Sequence, residues 1–581
     1  PEPLSDGIAS CDGTSCGVVC DSSSYVAVGV GTASPDCLWD LSTLSSLEPS
    51  AGILEPLFDP ATTFYQVYVP LAVDTLSLIA TISDPAASAV ITVGAEIVSS
   101  GGASTPAALA LGPNDFLVTV TAESGATLTY TVRVIRGSMP GSYIKASNTD
   151  AEDRFGSSVA MSGDTLVIGA PRESSAATGI DGNQANDSLG NSGAVYVFVR
   201  AGSTWIQQAY IKASNTGLTD QFGTSVAISG DTIVVGAPYE DSAAIGVGGD
   251  PTSNARTDSG AAYVFTRAGS TWTQQAYLKA SNPDAVDHFG WSVAISADTI
   301  VVGAPREGSR WDLALQDPAN NSLTQAGAAY VFARAGGSWT EQAFLKHWTS
   351  NSSGRFGESV ALEADTIVVG ASGRNTATVF VRAAGVWTEQ AQLTVPSIDS
   401  FDRFGTSVAL SGDTLVVGAD GEDSAAAGVA GDPWDNTLAD SGAAYVFVRV
   451  GALWSEQGYL KASDPDASDR FGHSVAIWGD SIVVGAPRED SAATGLDGDA
   501  ADDSATDAGA AYRYVRAAGV WSLEAYLKAS NTDPSDRFGA AVCVWDRSVA
   551  VAATDEASLA TGVGGTEGNG ANRCGAVYTF E

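Results

Sequence analysis

Carboxylate and amide side chains are concentrated in glycine-rich loops that recur along the chain. Clustered oxygen atoms on flexible loops suit Ca²⁺, which takes about six to eight oxygen ligands. The net charge of −39 favours a cation as ligand and argues against nucleic acid as a partner. We therefore predict calcium at one or more loops. The candidate ligands are Asp181, Asn183, Asp187, Asp250, Asp258, Asp432, Asp435, Asp440, Asp497, Asp499 and Asp503.

Two other interpretations of these acidic loops stay open. The loops could be solvated acidic segments with no bound ion. Alternatively, their carboxylates could pair with the arginines that precede a recurring Phe-Gly pair, namely Arg154, Arg403, Arg470 and Arg537.

The same residues give little support for catalysis. A nucleophile needs an adjacent base, and the only histidines are His288, His347 and His473. No Gly-x-Ser-x-Gly elbow or phosphate-binding loop precedes a helix. Paired carboxylates are abundant, but they recur with a repeat, and a catalytic pair is seldom copied seven times. We predict a protein that is not an enzyme.

The cysteines fall into two groups, one at each end of the chain. Four of the six lie within the first 37 residues, which predicts a small disulfide-stapled segment in an oxidising compartment. Zinc is the rival interpretation, but no histidine is nearby and CxxC spacing is absent. We expect two bridges among Cys11, Cys16, Cys20 and Cys37, with open connectivity, and one between Cys543 and Cys574.

An internal repeat predicts the strands and loops that position all these side chains. One segment recurs seven times, with spacings of 67, 67, 67, 48, 67 and 67 residues, and it contains all six lysines. Each unit holds four strand-like runs separated by turns, which is typical of a propeller blade. The fold class is therefore all-β, with a seven-bladed β-propeller. The repeats begin at Tyr143, Tyr210, Tyr277, Phe344, Gln392, Tyr459 and Tyr526.

The two ends of the repeat region complement each other. The last repeat stops at residues 577–581 without its fourth strand, and an unpaired fourth strand precedes the first repeat. We predict that residues 143–147 close the last sheet beside residues 575–581, because closure removes both sheet edges. The propeller would then span residues 143–581.

Two short motifs recur in phase within these repeats. Phe155-Gly156 is followed by Gly169-Ala-Pro171, and the same pairing returns at residues 222–238, 289–305 and 471–487. The pattern resembles the FG-GAP repeats of integrin α-chain propellers and their bacterial relatives. That resemblance implies a propeller that binds ligands on the face carrying its long loops.

This chain departs from the integrin pattern at one point. Integrin-type repeats often carry an Asp-x-Asp-x-Asp-Gly calcium loop between the first and second strands. Here that turn is only Ser-Gly-Asp, as at residues 162–164. It is too short to surround a calcium ion. The integrin calcium sites therefore do not transfer to this sequence.

The first part of the chain contains two further regions. Residues 1–40 form the Cys-rich segment. Residues 41–137 contain period-two apolar runs and resemble a bacterial cadherin-like β-sandwich, which acts as a spacer or adhesive unit in that family. No window approaches 18 apolar residues, so we expect no membrane span.

Tryptophans that fall outside the repeat pattern mark a predicted partner-binding site. The fourth repeat has a short loop at residues 373–376 where the other repeats have a long one. The site comprises Trp291, Trp311, His347, Trp348, Arg374 and Trp434. Tryptophan and arginine near a concavity are typical of binding hot spots. The alternative is that these rings simply pack the loops onto the blades.

Two more tryptophans stand where earlier repeats have serine. Trp478 and Trp545 occupy the turn between the first and second strands of the last two repeats. Exposed rings of this size favour a covering surface. We expect them to contact the sandwich or another chain.

These observations together predict a secreted or cell-surface adhesion or scaffold protein that binds a protein partner through the propeller. One alternative is a carbohydrate-binding propeller that recognises glycans through its tryptophans. The other is a self-assembling subunit of a surface assembly or filament.

Overall fold

The computed structural model describes residues 7–11, 16–20, 25–28, 36–39, 43–51, 54, 58–69, 73–83, 90–110, 112–122, 126–136, 141–202, 204–310, 321–347, 351–570 and 572–580. The chain forms two compact units, residues 1–140 and residues 141–581. Within the described ranges, no helix has the length and apolar character needed to cross a membrane.

The first unit begins with two strand pairs. Strands β1 and β2 are antiparallel, as are β3 and β4. The side chains of Cys11, Cys16, Cys20 and Cys37 lie outside the described part of the structure, so their pairing stays a prediction. The strands are β1 (Gly7–Cys11), β2 (Cys16–Cys20), β3 (Tyr25–Val28) and β4 (Asp36–Trp39).

The rest of the first unit is a β-sandwich. Its strands are β5 (Leu44–Pro49), β6 (Phe64–Val69), β7 (Thr75–Leu76), β8 (Leu78–Ile82), β9 (Val90–Val93), β10 (Glu96–Val98), β11 (Ala107–Ala108), β12 (Gly112–Thr121) and β13 (Thr127–Arg136). The larger sheet has the order β10-β9-β12-β13-β6, and β5 pairs with β8. The period-two pattern positions Val118, Val120, Tyr130 and Val132 in the core, where all four are fully buried.

The described residues of the second unit form seven four-stranded antiparallel sheets, numbered here as blades 1–7. Blade 1 has β15 (Ser158–Ser162), β16 (Thr165–Ala170), β17 (Ala194–Ala201) and β18 (Thr204–Ile211). Blade 2 has β19 (Ser225–Ser229), β20 (Thr232–Ala237), β21 (Ala261–Ala268) and β22 (Thr271–Leu278). Blade 3 has β23 (Ser292–Ser296), β24 (Thr299–Ala304), β25 (Ala328–Ala335) and β26 (Ser338–Leu345).

The remaining blades repeat this order. Blade 4 has β27 (Ser359–Glu363), β28 (Thr366–Ala371), a 3₁₀ turn (Ser372–Arg374), β29 (Thr376–Ala383) and β30 (Val386–Leu393). Blade 5 has β31 (Ser407–Ser411), β32 (Thr414–Ala419), β33 (Ala443–Val450) and β34 (Leu453–Leu460). Blade 6 has β35 (Ser474–Trp478), β36 (Ser481–Ala486), β37 (Ala510–Ala517) and β38 (Val520–Leu527). Blade 7 has β39 (Phe538–Trp545), β40 (Ser548–Ala553), β41 (Ala576–Phe580) and, from the other end, β14 (Tyr143–Ile144).

The blades form a closed ring. The first strand of each blade contacts the first strand of the next, and β39 of blade 7 contacts β15 of blade 1. The fourth strand of blade 7 is β14, in which Tyr143 pairs with Tyr578 and Ile144 with Val577. This is the closing pairing expected from the sequence.

The recurring glycines bring neighbouring blades into backbone contact. Gly223 opens blade 2 with a left-handed φ of 92°, and its carbonyl oxygen lies where a side chain at Gly169 of blade 1 would stand. Ser158 donates a hydrogen bond to the same oxygen at 2.9 Å. A Cβ at Gly169 would separate the two blades, which explains why Phe-Gly and Gly-Ala-Pro recur in phase.

A tryptophan recurs in phase near the start of the fourth strand of blades 1–6, and five of these tryptophans bond to the preceding blade. Trp272 of blade 2 donates from Nε1 to Gln208 of blade 1 at 2.8 Å. Its ring also lies 5.0 Å from the guanidinium of Arg267, close enough for a cation–π contact. The same Trp–Gln bond recurs at Trp339, Trp387, Trp454 and Trp521.

Trp478 and Trp545 contact each other, and their contact with the sandwich or another chain stays a prediction. Their ring centroids are 3.9 Å apart, with an interplanar angle of 35°. Each ring therefore covers part of the other, because the closed ring brings the corresponding turns of blades 6 and 7 side by side.

The predicted bridge between Cys543 and Cys574 is wrong, because both residues are free buried thiols. In blade 7, Cys543 is opposite Ala550, and Ala550 is opposite Thr579. Cys574 precedes Thr579 by five residues, which places it roughly 16 Å away along the strand. A disulfide needs Cα atoms no more than about 7 Å apart.

Candidate functional site: the loop face of the propeller

One end of every blade carries the long connections. Because the strands are antiparallel, the second strand ends where the third and the next blade's first strand begin. We call this end the loop face. It carries the loops between second and third strands and the connections between blades, and therefore the predicted calcium-binding and partner-binding residues that the structure describes.

The acidic loops are organised mainly by hydrogen bonds to their own backbone. Asp181 accepts from the Tyr210 amide at 3.0 Å, and Asp497 accepts from the Tyr526 amide at 2.9 Å. Most of the other predicted ligands accept from the amide two residues ahead, which is an Asx turn. These are Asn183, Asp250, Asp432, Asp435 and Asp499.

Asp258 and Asp440 have left-handed backbones, with φ of 53° and 52°. Their amides donate to Asp241 and Asp423, at 2.8 and 2.7 Å.

Among the described residues, no group of three or more His, Cys, Asp or Glu side chains is arranged to hold a metal ion. Asp187 and Asp503 act as negative charges that raise the pKa of Asp150 and Asp466, secondary to burial. Calcium binding at these loops therefore stays a prediction from the sequence.

Beneath the loops lies a recurring buried ion pair. Lys212 at the end of the fourth strand reaches Glu173, just after the second strand, with Nζ 2.7 Å from Oε2. Both side chains are inaccessible to solvent, and Tyr210 donates to the same carboxylate at 2.8 Å. All six lysines of the chain make this contact, at 2.6–2.9 Å. The other pairs are Lys145–Glu556, Lys279–Glu240, Lys346–Glu307, Lys461–Glu422 and Lys528–Glu489.

The sequence showed half of this arrangement. The regular spacing of the lysines is visible in the sequence, but the glutamate that pairs with each of them is not. Blade 4 has Thr394 where the other repeats have lysine and Arg374 where they have glutamate. The loss of both partners together indicates that neither charge is tolerated alone in this interior.

A second set of buried acids lies at the start of six of the seven blades; blade 4 has Gly354 at this position. The Asp153 carboxylate accepts from the Asp150 amide at 3.1 Å, and burial raises its pKa to about 8. In five other blades, burial is likewise the main cause that raises the pKa of the equivalent aspartates. Their pKa values are about 7 for Asp220, 8 for Asp287, 6 for Asp402, 8 for Asp469 and 7 for Asp536.

These raised pKa values predict that the propeller loses stability as pH rises from about 4 to 8. The native state holds protons on these carboxyls that the unfolded chain releases near pH 4, so the free energy of unfolding falls by about 1.4 kcal/mol per pH unit for each such proton. Urea unfolding at pH 5.5 and 8.5 should show a clear decrease. Asp469→Asn should reduce the dependence of the free energy of unfolding on pH. Asp546→Asn, at an exposed turn, should leave that dependence unchanged. A free energy of unfolding that rises over this range would contradict the prediction.

The first strands surround the ring axis, and arginines stand at their loop-face ends. Five of the seven residues immediately before Phe-Gly are arginine, and Gln221 and His288 fill the other two positions. His288 packs between Tyr239 and Trp291, with centroids 4.7 and 5.8 Å away. Burial and then Arg306 lower the pKa of His288 to about 4, so it is neutral at pH 7. The arginines are Arg154, Arg355, Arg403, Arg470 and Arg537.

The predicted partner-binding residues are distributed over several environments. Trp291 is half-buried against His288, and His347 is buried with its ring edge-on to Phe356. Arg374 donates to Asn351 at 2.6 Å. Trp434 is 65% exposed. Trp311 and Trp348 lie outside the described residues.

Sequence reasoning missed one exposed aromatic residue on this face. Phe401, in the connection to blade 5, is 86% exposed. Asp399, two residues before it, accepts hydrogen bonds from Asn436 and Asn375, at 2.6 and 2.5 Å. These bonds join the segments that carry Phe401 and Trp434 to the short turn of blade 4. An aromatic at a position filled by small or polar residues in most repeats was the available signal.

The ring of sheets, with paired glycines between blades and loops on one face, defines a β-propeller protein. The chain belongs to the FG-GAP repeat family, whose model matches residues 142–198, 205–265, 272–332, 339–381, 387–447 and 454–514. Residues 42–137 match the cadherin-like β-sandwich domain. The recognition made from the sequence is thereby confirmed, and neither domain class is enzymatic.

Comparisons with individual proteins add little. No curated protein matches this chain. Among solved structures, Saccharomyces cerevisiae Sqt1 is 9% identical, with 72% of this chain and 83% of that chain covered and a TM-score of 0.37. A candidate 6-phosphogluconolactonase from Bacteroides fragilis is 10% identical over 77% and 96%, with a TM-score of 0.38. One from Bacteroides uniformis is 9% identical over 79% and 98%, also with a TM-score of 0.38.

Proposed function

We propose that this chain is an extracellular adhesion or scaffold protein, without catalytic activity, that binds a protein partner through the loop face of its propeller. Its two domain classes support this role. The observation that carries the proposal is the aromatic patch, which we define as Phe401 and Trp434.

The aromatic patch is not needed for folding. The position of Phe401 has a left-handed backbone, with φ of 82°, and other repeats fill it with residues such as Ser468 and Ser535. The position of Trp434 is filled by Ala185 and Ala501 in other repeats. Leaving two large rings in water forgoes burial free energy of about 25 cal/mol per Å². Tryptophan is among the residues enriched in interface hot spots.

Both rings of the aromatic patch can be replaced by residues that occupy the same positions in other repeats. We expect Phe401→Ser and Trp434→Ala to weaken partner binding at least tenfold, which is about 1.4 kcal/mol, with the melting temperature unchanged. Leu453→Thr is the matched control, because Leu453 is 78% exposed at the opposite end of blade 5 and other repeats have threonine there. The partner is first isolated on the immobilised chain from cell-surface proteins, and its Kd is then measured with each variant.

The same experiment separates the alternatives. Repeating it with calcium and with a chelator tests calcium dependence. Patch-dependent binding on a glycan array would favour a carbohydrate-binding propeller, since tryptophan also stacks on sugars. Concentration-dependent self-association lost in the variants would favour a structural subunit. Full partner binding by the double variant would refute a protein-binding role for the patch.

A further inference from the structure

The charge of this protein is distributed unevenly among its basic residues. All six lysines form buried ion pairs with glutamates of the propeller. The other 22 residues counted as Lys or Arg are arginines. Many of these arginines stand at the loop-face end of the ring axis, in a chain whose net charge is −39. A local excess of positive charge on so acidic a molecule attracts anions selectively.

The excess is greatest where blade 7 meets blade 1. Three guanidinium groups share the carboxylate of Asp555: Arg154 Nε at 3.7 Å, Arg537 Nε at 3.4 Å and Arg573 Nε at 3.7 Å. The Asp555 side chain is almost fully buried. Neither its Oδ1 atom nor the buried Nε atoms of Arg154 and Arg537 has a hydrogen-bond partner.

Among the described residues, one further carboxylate lies within ion-pair distance of this group. Glu152 lies 3.6 Å from Arg573 and 3.8 Å from Arg172. Four guanidiniums thus face two carboxylates, all at distances longer than a charge-assisted hydrogen bond, which is about 2.7–2.9 Å. Burial lowers the pKa of Arg154, and repulsion from the positive charges of Arg172, Arg573 and Arg537 lowers it further.

A second group stands at blades 5 and 6. Asp420 contacts Arg403 at 3.2 Å and His473 at 3.0 Å, and Asp440 lies 3.8 Å from Arg403. Among the described residues, no carboxylate lies within ion-pair distance of Arg470, and its buried Nε has no hydrogen-bond partner. Burial is the main cause that lowers the pKa of Arg470, and the positive charges of Arg488 and Arg403 lower it further.

We propose that these residues, the axial arginine cluster, bind carboxylates of an extended acidic segment in the partner protein. The inference rests on the proposed function and supplies the chemistry of the partner. The cluster is Arg154, Arg403, Arg470, Arg537 and Arg573.

Carboxylates on a flexible segment fit this site better than a polyanion does. Arginine's planar fork binds carboxylate in bidentate fashion, and the loose internal contacts leave donors available for it. The acidic loops surround the cluster on the same face. They would repel a rod of regularly spaced phosphates or sulfates, whereas a few carboxylates can enter along the axis between them.

The test uses a fluorescein-labelled peptide of alternating Asp and Gly, with the Asn-Gly peptide as its neutral counterpart. Anisotropy should show binding of the acidic peptide to the full chain at low salt, weakening as salt is added. Arg537→Gln and Arg573→Gln should each weaken binding at least tenfold. Glutamine is tolerated at the Arg537 position, since Gln221 fills it in blade 2. Arg547→Gln, an exposed arginine at the opposite end of blade 7, makes the same charge change and should have no effect.

Three outcomes would overturn the proposal: equal binding of the two peptides, an equal loss with Arg547→Gln, or tighter binding of a sulfated oligosaccharide of the same charge. Phe401→Ser and Trp434→Ala should leave peptide binding intact. A failure of the carboxylate site is therefore distinguishable from a failure of the aromatic patch.

Discussion

A chain that begins at Gly141 should fold into a stable closed ring, and one that begins at Ser147 should not. The six residues between these start points include β14, which completes blade 7. Lys145 supplies Nζ at 2.6 Å from Glu556, and its backbone amide donates to Gly562 at 2.8 Å. Tyr143 donates to Glu556 at 2.9 Å. The shorter chain leaves Glu556 buried without its cation and β41 as an open edge.

The unpaired carboxylate alone should cost about 3–5 kcal/mol, and the exposed edge favours aggregation. We expect thermal and urea unfolding of the chain from Ser147 to begin well below that of the chain from Gly141. A synthetic peptide spanning residues 141–147 should restore most of the difference when added in excess, because it can pair with β41. Equal melting temperatures for the two truncated chains would contradict ring closure by β14.

The second large effect is expected at a buried ion pair. Lys212→Met removes the cation 2.7 Å from Glu173 and leaves that carboxylate with neutral donors: the Tyr210 hydroxyl at 2.8 Å, the Asn148 side-chain amide at 3.1 Å and the Ser175 backbone amide at 3.1 Å. Loss of one partner of a buried pair costs about 3–5 kcal/mol, whereas replacing both is often close to neutral. We expect Lys212→Met to lower the free energy of unfolding by that amount, and Lys212→Met/Glu173→Gln to recover most of it.

The outer surface offers a matched pair for comparison. Arg267 and Asp231 are 2.7 Å apart, but the aspartate side chain is 65% exposed. Asp231→Asn should change the free energy of unfolding by no more than about 1 kcal/mol, as is usual for exposed pairs. Denaturant unfolding of these variants checks both expectations. A double variant no more stable than Lys212→Met would show that Glu173 is needed for more than its charge pairing.

Some site residues were identified from the sequence and others were not, for a common reason. Trp434 was selected because it breaks the repeat, and it is exposed as a binding residue should be. His347 broke the repeat equally well and is buried. A departure from the pattern reveals that a position is unusual, but exposure depends on which loop covers it. Phe401 breaks the repeat as well, but its link to the loop that carries Trp434 depends on the hydrogen bonds of Asp399, which no neighbouring residue in the sequence indicates.

The acidic residues illustrate the same limit. Their clustering favoured calcium, yet the described geometry assigns Asp250, Asp432 and Asp499 to Asx turns within their own loops. The sequence gives the number of oxygens in a loop, whereas coordination requires several of them to converge on one point.

The sequence by itself determined the all-β class, the repeat of four strands and the closing role of residues 143–147. These follow from the periodicity of the hydrophobic residues, the turn residues and the similarity between repeats. All three are local features of each 67-residue unit. Tertiary structure alone decided the pairing of Trp478 with Trp545, the free state of Cys543 and Cys574, and the grouping of three arginines around Asp555. Each depends on side chains from different strands, turns or blades. The pairing of strands within a blade and the packing of neighbouring blades set those distances, and no local pattern encodes them.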